Sequence, residues 1–170
     1  MSPSELTIKV INTISEWTGK TVSWLATFLV FLTVVDVVRR YAFGHGSAVM
    51  HELEFYFFAA IFTLGAAYTL LKKGHIRVDV FYTRWSSRRQ VITDIVFFFL
   101  LFLPFVVSII WRGTPFWLRA IEIKEGSPAV GGLPYIYILK GCLPIGFFLL
   151  FLQGVSQFLQ DLLVIRRKNP

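Results

Sequence analysis

Between Ile95 and Trp111 the chain reads Ile95-Val96-Phe97-Phe98-Phe99-Leu100-Leu101-Phe102-Leu103-Pro104-Phe105-Val106-Val107-Ser108-Ile109-Ile110-Trp111, 17 residues without one charged side chain. Wound as an α-helix this stretch is about 25 Å long. The hydrocarbon core of a bilayer is about 30 Å thick, and flanking basic residues make up the difference by reaching to its surface. Three further runs lack Asp, Glu, Lys and Arg: Thr21–Val35, Phe55–Leu71 and Gly141–Gln160. With their mildly polar ends they predict four transmembrane helices, near 20–41, 52–71, 89–112 and 134–163. The last exceeds the bilayer, so it must tilt, kink at Pro144 or project.

The rest of the composition agrees. Charged residues make up 16% of the 170, against about 25% in a soluble domain. The mean hydropathy is +0.65, which argues against a water-soluble enzyme, and so much apolar surface is incompatible with disorder. The formal charge of +7 does not point to nucleic acid, because the basic residues flank apolar runs, where membrane proteins place them. Cys142 is the single cysteine and permits neither an internal disulfide nor a thiolate cluster. No repeat or low-complexity tract divides the chain, so residues 1–170 are expected to form one all-α membrane domain.

The first 20 residues lack the order of a signal peptide, since the apolar run begins only at Thr21 and ends in Asp36-Val37-Val38-Arg39-Arg40. Ser2, Pro3 and Glu5 fit a helix start with a capping box. Leu6, Val10, Ile14 and Trp17 then share one helical face. Such a segment either lies in the membrane interface or extends the first span. With four spans, both termini and the central loop share a side. That side carries 11 Lys and Arg, against 6 on the other. The positive-inside rule therefore predicts cytoplasmic termini.

No candidate for chemistry emerges in the apolar runs. His51 opens the second span and His75 lies past its end, about 36 Å away along a helix, while His45 sits in a Gly-His-Gly turn. A haem held by two axial histidines does not fit, and no cofactor or metal is expected. A proton-coupled exporter needs an ionisable group deep in the membrane. The deepest acid, Asp36, instead has Arg39 and Arg40 at ion-pairing helical spacing. Glu52 and Glu54, at the start of the next span, are expected to join Asp36 in neutralising the two arginines. Pro104 reads as a kink. Gln153, Gln157 and Gln160 form a stripe suited to hydrogen bonds between helices, and Ala59, Thr63 and Ala67 a small-residue face for close packing, within the chain or against another subunit. Ser87 with Gln90 predicts a capping box for the third helix. The long loop expected at Gly113–Leu133 mixes aromatics with charges. Arg119, Lys124 and Glu125 are its candidate docking residues if a soluble partner binds there; anchoring in the interface is the alternative.

The stretch Leu64-Gly65-Ala66-Ala67-Tyr68-Thr69-Leu70-Leu71-Lys72-Lys73-Gly74-His75-Ile76-Arg77-Val78-Asp79 closely resembles the DctQ-type small membrane subunit of tripartite ATP-independent periplasmic (TRAP) transporters. The motif residues are Gly65, Tyr68, Gly74, His75, Arg77 and Asp79. Arg40-Tyr41-Ala42-Phe43, the acid Glu52 and Leu152-Gln153-Gly154 are further likenesses, whereas His51-Glu52-Leu53-Glu54 departs from a family pattern of an aromatic before two adjacent acids. The resemblance implies a scaffold in the bacterial inner membrane for a larger DctM-type subunit. That subunit would move like an elevator and carry the substrate and sodium sites, while a periplasmic binding protein delivers an organic acid. A redox-chain membrane anchor and a self-sufficient small exporter are the alternatives.

Overall fold

A computed structural model describes residues 3–44, 46–72 and 85–168. The described residues fold as helices: α1 (Pro3–Phe43), α2 (Ala48–Leu71), α3 (Ser87–Phe97), a π-helical turn (Phe98–Phe102), α4 (Leu103–Glu122) and α5 (Ile136–Lys168). α3, the π turn and α4 run on as one rod, the third span. Four helices are therefore long and apolar enough to cross a membrane: Pro3–Phe43, Ala48–Leu71, Arg89–Glu122 and Ile136–Ile165.

The first helix is a single rod of 41 residues, so the N-terminal segment extends the first span in line. Its hydroxyls do not interrupt it, because they bond to the helix's own carbonyls. Thr13 donates to Lys9 at 2.8 Å, Thr18 to Ile14 at 2.9 Å and Ser23 to Gly19 at 2.9 Å. A hydroxyl in lipid needs such a partner. Gly44, with φ of +66°, ends the rod. α2 has 24 residues, about 36 Å, which matches a bilayer.

The third span continues ten residues past the expected end at 112, so Gly113–Glu122 is helix and the connection is only 123–135. Gly113 and Pro115 suggested a loop, but α5 supports both. Gly113 is buried, with Leu143 and Pro144 beside it, and further on Trp117 lies over Gly141 and Ala120 is buried. Upstream, Pro104 lacks an N–H and its ring would crowd the carbonyl four residues back. The preceding turn widens to the π form, in which Leu103 N–H donates to Phe98 O. At the start of this span the N-cap is Ser86, not Ser87, and Gln90 Nε2 donates to the Trp85 carbonyl at 3.3 Å.

α5 is the central element. It packs on α2, on α1 and on the third span, and α1 packs on α2. The contacts are close because glycines lie at the crossings. A Cβ built on Gly146 of α5 would stand 2.6 Å from the Thr63 carbonyl of α2, and one on Gly141 2.7 Å from Trp117 Nε1. Gly19 lies against the Tyr68 ring, and Gly154 against Phe102. The small-residue face of α2 thus has an internal partner at Thr63 and Ala67, both buried. Large apolar side chains such as Trp24, Phe31, Phe62, Leu100 and Trp111 point outward, as expected of helices bathed in lipid tails.

Candidate functional site: the polar groups at the helix ends

Polar groups are concentrated at the two ends of the bundle. At the end carrying the termini, Gln153 is fully buried. Ser15 Oγ donates to its Oε1 at 2.8 Å, and its Nε2 donates to Asn12 Oδ1 at 3.1 Å. Ser156 Oγ reaches the same Asn12 oxygen at 2.8 Å. These bonds cross from α1 to α5 and fix their register. Gln157 and Gln160 stay within α5, donating to Asp161 and Ser156. The sequence marked Gln153 but not Asn12, Ser15 or Ser156. The signal was the matching of Asn12 and Ser15, three apart, with Gln153 and Ser156, three apart on the facing helix. Beside this network, Glu16 of α1 lies 3.7 Å from Lys72, and the Lys72 ammonium is 5.4 Å from the Tyr68 ring centroid.

At the opposite end the expected five-residue charge cluster is divided into separate contacts. Asp36 is 1% exposed and ion-paired with Arg40, whose side chain is half-exposed. Arg39 is exposed. Glu52 does not turn toward them. Its Oε1 accepts from Ser127 Oγ, and its Oε2 accepts from Leu133 N–H at 2.6 Å. Glu54 lies 3.6 Å from His51 Nδ1. Among the described residues, Asp36 Oδ1, Glu54 Oε1 and the Tyr56 hydroxyl are buried without a hydrogen-bond partner. The physical reason for the division is reach: the loop after α4 comes back over the first turn of α2 and offers Glu52 nearer donors than α1 does.

The three expected docking residues also separate. Arg119 and Lys124 are exposed. Glu125 is tied at 2.6 Å to Lys140, whose ammonium also lies 4.0 Å from the Phe116 ring centroid. Lys124 has φ of +48°, the left-handed position that follows a helix end. The cap is closed by Glu125 N–H to Ala120 O at 2.9 Å and Lys124 N–H to Ile121 O at 3.1 Å.

Of the motif residues, Gly65 faces Val22 of α1 and Tyr68 covers Gly19, so both serve the α1–α2 contact. Gly74, His75, Arg77 and Asp79 lie outside the described residues. The described His, Cys, Asp and Glu residues form no group of three able to hold a metal. A cleft of about 560 Å³ lies between the third span, α5 and Leu70. It is floored by phenylalanines, with Asp94, Gln157 and Asp161 also on its wall.

This is the geometry of helices fastened to each other at both ends, with apolar flanks left for lipid or a larger protein. No curated protein and no solved structure matches the chain at a significant level. Residues 13–164 do match a family, described as tripartite ATP-independent periplasmic transporters, DctQ component. That match spans nearly the whole chain and agrees with the four membrane-spanning helices, so the chain is a multi-pass membrane protein that belongs to the DctQ component family of TRAP transporters.

Proposed function

We propose that this chain is the small permease subunit that scaffolds a large DctM-type, elevator-moving subunit for sodium-coupled uptake of an organic acid in the bacterial inner membrane. The family match over 13–164 carries the reading. The fold supports it through four helices held by internal contacts, with long apolar flanks free to meet another membrane protein. In this reading the chain is one membrane domain and not an enzyme. Both termini face the cytoplasm, and the 123–135 loop faces the periplasm and the substrate-delivering binding protein. Asp36 and Arg40 act structurally, and Arg119 and Lys124 belong to the rim that a soluble partner meets.

Vesicles with a sodium gradient test the proposal. This chain alone should move no organic acid. Together with the large subunit and the binding protein it should support uptake, and leaving the chain out should abolish most of that uptake. Transport by this chain on its own would overturn the accessory role.

A further inference from the structure

The loop between α4 and α5 is held at more points than a simple connection requires. Its base is closed by Ser127 N–H to Leu133 O at 2.9 Å, and its tip by Gly132 N–H to Ala129 O at 3.0 Å. Ala129 N–H also donates to Ser127 Oγ at 3.0 Å. Both oxygens of Glu52, from the first turns of α2, grip the two sides of this base. A Cβ on Gly132 would stand 2.5 Å from Glu52 Oε1, so glycine is needed there for the carboxylate to fit. The Glu125–Lys140 pair and Ile136 N–H to Glu125 O at 3.2 Å fasten the loop to α5.

The surface held in this way is apolar at its tip and charged around it. Val130 is 100% exposed, and Ile123 and Tyr135, at the two ends of the loop, are also exposed. Gly131, with φ of +75°, follows Val130 and forms the turn. Arg119, Glu122 and Lys124 are exposed nearby in the chain. An apolar contact surrounded by a polar rim is the usual composition of a protein-docking surface. Rigidity before binding lowers the entropy lost on association. The adjoining charges of both signs place this surface in water rather than in lipid, which favours a soluble partner.

We infer that the loop 123–135, held in shape by Glu52, is the seat of the soluble binding protein, with Val130 as its apolar contact and Glu52 as a positioning residue. This rests on the reading of the chain as the small TRAP subunit with the loop on the periplasmic side. It moves the docking contact from Glu125, which Lys140 already holds, to the tip of the loop.

The test measures uptake by the complete reconstituted complex as the binding-protein concentration is varied. Val130→Asp should raise the half-saturating concentration by about tenfold, the scale of losing one central contact, with the maximal rate and complex assembly unchanged. Glu52→Gln can still accept from Leu133 N–H and donate to Ser127, so it should stay near the wild type. Glu52→Leu should shift the half-saturation as Val130→Asp does. In addition, a Val130→Cys variant should react with a membrane-impermeant maleimide, and added binding protein should slow that reaction. An unshifted half-saturation for Val130→Asp overturns the inference, as does a lowered maximal rate with no shift, or a cysteine that lipid shields. If uptake by the wild-type complex does not depend on the binding protein at all, the small-subunit reading fails, and this inference with it.

Discussion

Asp36 shows how much a single residue depends on its surroundings in this protein. Its carboxylate is 1% exposed and is held by Arg40 from the next helical turn, while half of the Arg40 side chain faces outward. The spacing of four made this pair legible in the sequence, because side chains four apart share a helix face. Glu52 was not legible in the same way. An acid at a helix start can bind any donor that comes within reach, and its donors are 75 and 81 residues away in the chain. The two roles of the Asp36–Arg40 pair are also unequal. Arg40→Leu leaves a buried carboxylate uncompensated and should cost about 3 kcal/mol, the low end for a buried pair because the arginine is half-exposed. Adding Asp36→Asn should recover most of that loss, and Arg39→Leu should cost little. Thermal midpoints of the purified variants in detergent measure all three. Equal losses for Arg39→Leu and Arg40→Leu would show that the pair contributes nothing specific.

Among the elements, the contact between α2 and α5 is the closest to backbone-on-backbone packing. Gly146 has the Thr63 carbonyl carbon and oxygen 2.6 Å from where a Cβ would stand, and a backbone cannot move aside as a flexible side chain can. Gly113 is also buried in a helix, yet its nearest neighbour would be Leu143 at 3.6 Å, an ordinary contact. Gly146→Ala should therefore destabilise the bundle by about 1–3 kcal/mol, the usual cost of overpacking. Gly113→Ala should be neutral or slightly stabilising, since alanine favours helix over glycine by up to about 1 kcal/mol. Thermal midpoints and monodispersity on size exclusion distinguish the two outcomes, and a tolerated Gly146→Ala would refute the close crossing. Sequence gave both glycines the same appearance. A helical glycine is marked by its type, but whether a backbone or a side chain lies opposite is a property of the neighbouring helix.

For the whole molecule, orientation in the membrane follows from charge. The termini and central loop carry 11 of the 17 basic residues, and basic residues are retained on the cytoplasmic side. Reporter fusions at the C-terminus and within 123–135 should therefore report cytoplasm and periplasm respectively, and a periplasmic C-terminus would reverse the assignment. The N-terminal half of α1 bears on the same side. Leu6, Val10, Ile14 and Trp17 are exposed on one face while Ile11 and Ser15 are buried on another. The periodicity was visible in the sequence as amphipathic, but it fits an interfacial helix and an extension of the first span equally well. The Asn12–Gln153–Ser156 bonds to α5 accompany the in-line arrangement.

The sequence by itself determined the number of spans, their approximate positions, the absence of a charged group in the middle of any span and, through the stretch from Leu64 to Asp79, the family. Each of these depends on local quantities: hydropathy summed over a bilayer thickness, charge at helix ends, and a contiguous motif. Tertiary structure alone decided that α5 is the hub, that Gly113–Glu122 is helix rather than loop, that Glu52 holds a loop rather than an arginine, and that Glu125 is tied to Lys140. Those outcomes depend on which surfaces come within a few ångströms of each other. Hydrogen bonds and close packing act only at that range, and distance along the chain does not reveal it.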